Sequence, residues 1–141
     1  MSNFALSQRS YFRLWKVHPS ITRVLEEAIE VTPFDFGVAY MGGFRTEEEQ
    51  RQLFIEGVSK ADGEINISKH QTGDAVDLII FARGGPVPLD DPDYVHMQCA
   101  VAGCILTVAQ RLNIPLRWGG NWGKEDIREV EFFDPYHYEL I

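Results

Sequence analysis

The feature that most constrains the fold is a short apolar run, residues 75–82, that carries a single acid near its middle. Its sequence, Ala-Val-Asp-Leu-Ile-Ile-Phe-Ala, is followed by a glycine turn and is typical of a buried strand. An ionised Asp77 in such surroundings costs several kcal/mol unless a cation or several donors meet it. Two interpretations stay open at this point: an aspartate bonded to backbone amides, or a metal ligand.

Over the rest of the sequence, the predicted helices come mostly early in the chain and the predicted strands mostly late. Thr46 and Glu49 form a capping box for one helix, with Leu53 and Phe54 as its apolar contacts. The predicted helices cover residues 19–32, 46–56 and 92–112. The predicted strands cover residues 34–40, 75–82, 116–118, 131–133 and 136–141. In the first of these strands Phe36, Val38 and Tyr40 are expected to share a face. This order favours an α+β domain with a small antiparallel sheet packed against helices.

Length and charge narrow the class of protein. The chain has 141 residues, enough for one domain with one hydrophobic core, which we assign to residues 1–141. Its 21 acids outnumber its 13 lysines and arginines, and the net charge of −8 argues against a nucleic-acid binder. The longest apolar runs fall short of the ~20 residues that a membrane span needs.

A histidine lies seven residues before Asp77, and the two residues belong to one sequence motif. Ser68-x-His70-x-x-Gly73-x-Ala75-x-Asp77 has five defined positions in ten residues. Gly73 and Ala75 are small, so they let the backbone pass close to another group. His70 alone is typical of an ordinary surface or core histidine, but together with Asp77 it indicates a metal site.

A further acid and histidine stand near the C-terminus, within residues 134–139. Two histidines and one carboxylate are a common catalytic zinc set that leaves a fourth position for water. Hydrolysis then needs a second carboxylate, free of the metal, that takes a proton and passes it to a leaving amine. The predicted zinc ligands are His70, Asp77 and His137. Asp134 is the predicted general base.

These motifs resemble those of the VanY-like D,D-carboxypeptidases and L-alanyl-D-glutamate endopeptidases, a family that includes small phage endolysins. The resemblance covers most of the chain, from about Pro19 onward. It includes the segments Gly43-Phe44-Arg45-Thr46 and Trp118-Gly119-Gly120-Asn121-Trp122. The family fold, shared with the Hedgehog signalling domain, is an α+β zinc domain on an antiparallel sheet. By position, the resemblance implies the same three zinc ligands and the same base.

The resemblance also implies roles for residues around the metal. Arg45 is expected to stabilise the developing oxyanion or to grip a substrate carboxylate, unless it is a surface guanidinium paired with neighbouring glutamates. Ser68 is expected to bond to substrate or to orient His70. Trp118 and Trp122 are expected to line the groove for the stem peptide, unless they are core residues.

Two further positions stay open. Asn121 stands where the family often carries an aspartate, so any role of that acid, including the binding of a second cation, is in doubt in this chain. Glu139 either holds the outer ring nitrogen of His137 or is a solvated strand residue.

The leading hypothesis is therefore a monomeric phage endolysin with one zinc ion per chain that cuts the L-alanyl-D-glutamate bond in the peptidoglycan stem peptide. A carboxypeptidase or dipeptidase acting on D-alanyl-D-alanine ends is the alternative. A non-catalytic zinc-stabilised binding module fits less well, because Asp134 is present. No secretory signal is recognised, so we expect synthesis in the host cytoplasm and later release to the wall. The net charge of −8 provides no long-range attraction to an anionic wall.

Overall fold

The structure is a computed structural model that describes residues 3–141, so residues 1 and 2 of the predicted domain lie outside the described residues. The helices are α1 (Gln8–Arg13), α2 (Pro19–Ile29), α3 (Glu47–Ile55) and α4 (Tyr94–Arg111). The strands are β1 (Asp35–Val38), β2 (Ala75–Ala82), β3 (Gly85–Pro86), β4 (Leu116–Trp118) and β5 (His137–Leu140). The predicted α+β class is confirmed. Within residues 3–141, no helix is long and apolar enough to cross a lipid bilayer.

The strands form one antiparallel sheet in the spatial order β1-β2-β5-β4, with β3 paired to the end of β2. In the pairing of β2 with β5, Asp77 lies opposite His137 and Val76 lies opposite Tyr138. Directly opposed residues of an antiparallel pair have Cβ atoms roughly 5 Å apart, on the same face of the sheet. The register therefore brings two predicted metal ligands together, although they are 60 residues apart in sequence.

The two faces of β2 have different surroundings. Val76, Leu78 and Ile80 are fully buried in the main hydrophobic core. The apolar sides of α2 and α4 supply much of the rest of that core, including Ile21, Val24, Leu25, Val101, Ile105 and Val108. Successive strand residues point to opposite faces, so Asp77 points away from this core. The acid in the apolar run is explained by this alternation, since its sequence neighbours face the helices and it does not.

Two local expectations were wrong. Residues 131–133 do not form a strand: residues 131 and 132 form a bend, and the Phe132 carbonyl accepts a hydrogen bond from Trp122 Nε1 at 2.6 Å instead of from a strand partner. Tyr40, placed by the alternating pattern on the buried face of β1, follows the end of that strand and is 81% exposed.

Gly43 lies where two segments of backbone come together. A Cβ atom at this position would overlap the carbonyl group of Arg13, the last residue of α1. Gly43→Ala is therefore expected to lower the free energy of unfolding by about 2 kcal/mol, as overpacking typically does. Urea denaturation measures the change.

Gly103→Ala is the matched control for this prediction. Gly103 is an exposed residue within α4, and a Cβ atom added there meets nothing within 4 Å. Because alanine is the better helix former, this control should leave the stability unchanged or raise it by up to ~1 kcal/mol. Equal stability of Gly43→Ala and the wild type would mean that the Arg13 backbone moves aside at little cost.

Candidate metal centre

His70, Asp77 and His137 converge on one point. One ligand atom from each residue lies within 4.8 Å of the other two. His70 Nε2 is 3.3 Å from Asp77 Oδ2, and His137 Nδ1 is 3.0 Å from Asp77 Oδ1. The two imidazole rings meet edge to face with their centroids 5.2 Å apart. Two imidazole nitrogens and a carboxylate in this arrangement are a donor set that suits a divalent transition metal.

Each histidine has its other ring nitrogen occupied by the protein. His70 Nδ1 lies 2.9 Å from the Gly43 carbonyl oxygen. Since a carbonyl oxygen can only accept, the proton of neutral His70 belongs on Nδ1 and the lone pair of Nε2 faces Asp77. His137 is arranged in the opposite sense, with Nε2 at 2.9 Å from Glu139 Oε1 and Nδ1 facing Asp77. Such outer contacts fix the tautomer and orientation of metal-binding histidines.

Glu139 is buried beside His137 and is also held by two cations. Arg117 donates to Glu139 Oε2 from Nε at 3.1 Å and from Nη2 at 2.9 Å. Lys69 Nζ lies 3.2 Å from the same oxygen. Burial alone would raise the pKa of Glu139, but its bonds to His137 and Lys69 outweigh burial and lower the pKa to about 2. The sequence left two interpretations of Glu139 open. The structure supports the one in which Glu139 holds the outer ring nitrogen of His137.

Arg45 lies beside Asp77 and is not a surface residue. Its Nη2 donates to Asp77 Oδ2 at 3.0 Å, and its Nε donates to the Met41 carbonyl at 2.6 Å. Its Nη1 donates to Gln50 Oε1 at 3.2 Å. Only 11% of the side chain is exposed, so a surface pair with neighbouring glutamates is not what the structure contains. One role of Arg45 is therefore to fix the Asp77 carboxylate.

Ser68 begins the short 3₁₀ turn, Lys69–Thr72, that presents His70. Its Oγ accepts a hydrogen bond from the His70 N–H at 3.2 Å, and the Gln71 side chain completes a capping box. Gly73 ends the turn with φ +77°, a conformation that favours glycine. These contacts support an orienting role for Ser68, and its place on the cavity wall leaves the predicted substrate contact available.

A cavity of about 700 Å³ leads to the three converging residues. Asp134 lines this cavity without belonging to the converging set. Its backbone N–H donates to the Gly119 carbonyl at 2.9 Å, which fixes its position before β5. Burial raises the pKa of Asp134 above its ordinary value, and the negative charge of Asp77 raises it further. A carboxylate of raised pKa beside a metal site suits the role of a general base.

The two predicted substrate-binding tryptophans have different surroundings. Trp122 lines the cavity, with its ring centroid 5.4 Å from that of His137. Trp118 is only 7% exposed, and its Nε1 donates to the Pro135 carbonyl at 2.8 Å. The structure does not support the expected substrate contact of Trp118, because the indole is buried in the core and holds the turn before β5.

Asn121 closes a turn. Its Oδ1 accepts from the Gly123 N–H at 3.2 Å, and its Nδ2 donates to the Lys124 carbonyl at 3.3 Å. Both ends of the amide are thus used locally, which gives this position a structural role.

Metal binding is expected to release a proton from His137. In the metal-free protein, burial lowers the pKa of His137, but its bonds to Asp77 and Glu139 outweigh burial and raise the pKa from 6.5 to about 9. The ring is therefore protonated at neutral pH and must lose its proton before it can bind a metal. The apparent affinity for zinc should rise about tenfold per pH unit up to about pH 9 and then level off.

Calorimetric titrations in zinc-buffered solutions, run in two pH buffers that differ in ionisation enthalpy, measure both the affinity for zinc and the number of protons released. The same raised pKa stabilises the metal-free fold fully below pH 6.5, and this contribution is lost as the pH rises through about 9. A zinc affinity that stays constant between about pH 6.5 and 8.5 would show that His137 is already neutral in the metal-free protein.

Comparisons with known proteins agree with this geometry and confirm the family resemblance. A family model described as phage L-alanyl-D-glutamate peptidase matches residues 1–141. The L-alanyl-D-glutamate peptidase of Escherichia phage T5 is 29% identical to this chain over 143 residues, which cover 99% of each protein.

Two solved structures are similar as well. The Serratia marcescens L-Ala D-Glu endopeptidase ChiX has a TM-score of 0.73 and 28% identity, over 95% of this chain and 87% of that one. The LD-carboxypeptidase LdcB shares the fold, with a TM-score of 0.53 and 23% identity, over 89% of this chain and 66% of that one. Together with the family match over its whole length, these similarities establish that the chain belongs to the phage L-alanyl-D-glutamate peptidase family.

Proposed function

We propose that this protein is a zinc peptidase that hydrolyses the bond between L-alanine and D-glutamate in the peptidoglycan stem peptide. The observation that carries the proposal is the convergence of His70, Asp77 and His137 at a cavity whose wall also holds Asp134. Membership of the family makes the chain a peptidoglycan peptidase and supports the choice of bond.

His70, Asp77 and His137 would hold the zinc ion. Zinc bound there supplies Lewis-acid chemistry, because it polarises the scissile carbonyl and makes water a better nucleophile near neutral pH. Asp134 takes a proton from the attacking water and passes it to the leaving nitrogen of D-glutamate. Its raised pKa favours this exchange, since a base with a pKa closer to the working pH both accepts and returns a proton readily.

Arg45 contributes electrostatic stabilisation in this mechanism. Three of its N–H groups are used by Asp77, Met41 and Gln50, and a guanidinium has five. The remaining two can donate to the carbonyl oxygen of the substrate as negative charge develops on it. Arg45 would thus fix one metal ligand and stabilise the transition state with the same side chain.

The stem peptide would lie along the cavity wall. Trp122 offers an aromatic surface beside the metal ligands, and Ser68 offers a hydroxyl that can bond to the peptide backbone. A single cluster of buried residues joins both large helices to the sheet, which supports one catalytic domain over residues 1–141. We further propose that it acts as a monomer, is made in the host bacterium and reaches the wall after release.

Digestion of purified peptidoglycan tests which bond is cut. Mass spectrometry of the soluble fragments should find new amino termini on D-glutamate, in an amount that grows with time and requires added zinc after chelation. Release of D-alanine alone would instead favour the carboxypeptidase alternative. A preparation treated with chelator and left without added metal serves as the control.

A further inference from the structure

One lysine on the cavity wall lacks an acidic partner. Lys60 Nζ lies over the Phe132 ring, 5.2 Å from its centroid, and both residues line the cavity. In the described part of the chain, no carboxylate forms an ion pair with this ammonium group. Arg45, the other lysine or arginine of the cavity wall, is already paired with Asp77. Lys60 is therefore available to an anion that enters the cavity.

The loop that carries Lys60 is fixed from inside the protein. Gln50 is fully buried, and its Nε2 donates to Ser59 Oγ and to the Ala61 carbonyl, both at 2.8 Å. These two contacts bracket Lys60 in the chain. The Oε1 of the same amide accepts from Arg45 Nη1 at 3.2 Å. A buried side chain thus links the backbone around Lys60 to the guanidinium beside the metal ligands, so the point from which the exposed Lys60 side chain extends along the wall is fixed.

The charges in the cavity also favour an anionic group on the substrate. With a divalent ion bound, the ion and Arg45 together outweigh the two acids of the wall, Asp77 and Asp134. Lys60 adds to this local positive charge in a chain whose net charge is −8. A local positive field inside an acidic protein attracts anions specifically to the site.

The location of Lys60 points to the half of the substrate that leaves with the amine. Lys60 contacts Phe132, two residues before Asp134, so the lysine lies on the same wall as the proposed base. That base must reach the leaving nitrogen, which in the proposed reaction belongs to D-glutamate. The stem peptide continues through the γ-carboxyl of this residue, and its α-carboxyl is either free or amidated.

We propose that Lys60 binds the free α-carboxylate of the D-glutamate residue and so makes the enzyme prefer stem peptides in which this group is not amidated. The inference rests on the proposed function. It assigns to an otherwise unpaired lysine the recognition of one substrate charge.

Two synthetic stem peptides that differ only in this group, α-carboxylate or α-carboxamide, provide the test. The zinc-loaded wild type should cut the carboxylate peptide with a kcat/KM about five- to tenfold higher, as expected for a partly screened ion pair. Lys60→Met keeps an apolar stem over Phe132 and removes the charge. Lys60→Met should slow the cleavage of the carboxylate peptide only, mainly by raising KM, and so abolish the preference for that peptide. Lys60→Arg should retain most of the preference. High salt should weaken the preference of the wild type.

Lys16→Met is the matched control. Lys16 Nζ also lies 5.2 Å from the centroid of an aromatic ring, that of Phe44, but Lys16 does not line the cavity. This variant should keep the full preference. Equal cleavage of both peptides by the wild type, or equal slowing of both by Lys60→Met, would overturn the inference and leave the peptidase assignment intact. A wild type that cuts neither peptide would contradict the proposed function itself.

Discussion

Replacing Asp134 by asparagine is expected to reduce hydrolysis of the stem peptide by about 10²- to 10⁴-fold, the usual contribution of a general base. The change removes the proton-accepting group and keeps the shape of the side chain. Because Asp134 is outside the set of converging ligands, the zinc content should stay that of the wild type. Initial rates, elemental analysis and thermal unfolding of the same preparation measure the three properties together.

Asp126→Asn is a suitable control for that experiment. Asp126 pairs with Arg128 and does not line the cavity, so its replacement should leave the rate unchanged. Activity of Asp134→Asn within about a factor of three of the wild type would remove Asp134 from the mechanism. Loss of zinc from this variant would assign the residue to the metal instead.

Replacing Asp77 by asparagine should differ from the Asp134 substitution in its effect on the metal. Both the metal and the activity should be lost. The wild type should bind about one zinc ion per chain, and the variant should bind it at least 10²-fold more weakly, because an anionic ligand is replaced by a neutral amide. Elemental analysis after dialysis against a zinc buffer measures the difference. A variant that still holds one zinc ion and hydrolyses the substrate would show that Asp77 is not a ligand.

The same substitution should also destabilise the metal-free protein. Asp77 faces His70, His137 and Arg45, and all three lose their anionic partner. Burial alone would raise the pKa of Asp77, but its hydrogen bonds to His137 and His70 outweigh burial and lower the pKa below the ordinary value. The stability that depends on this ionised carboxylate is present at neutral pH and is lost as the pH falls through the lowered pKa. The free energy of unfolding at pH 7 should fall by about 3 kcal/mol, as for a broken buried pair.

The three residues that converge could be predicted because each lies in a local pattern that is unusual for its surroundings. Asp77 interrupts an apolar strand, and β2 has the bounds that the apolar run indicated. His70 follows a serine that begins a turn, and His137 stands in an alternating segment that became β5. Patterns of this kind report the preferences of a few adjacent residues, which is the scale on which periodicity and capping act.

The contacts around these three residues could not be predicted in the same way, because they join distant segments. The apolar pattern of α3 indicated Leu53 and Phe54 as its inward contacts, yet the fully buried residue is Gln50. Its amide is satisfied by groups of the following loop and by Arg45, which no helical periodicity reveals. Likewise, Trp118 is buried in the core, and its indole N–H is satisfied by a carbonyl 17 residues away.

The pairing of Asp77 with His137 across two strands has a consequence for how the enzyme comes into being in the cell. Once β2 has been translated, two of the three donor residues have been made, and two donors hold a zinc ion far less firmly than the complete set of three. The third donor arrives only after another 60 residues have been translated and β5 has docked. A chain that ends before β5 therefore lacks the third residue of the converging set, and the complete donor set forms only when β5 pairs with β2.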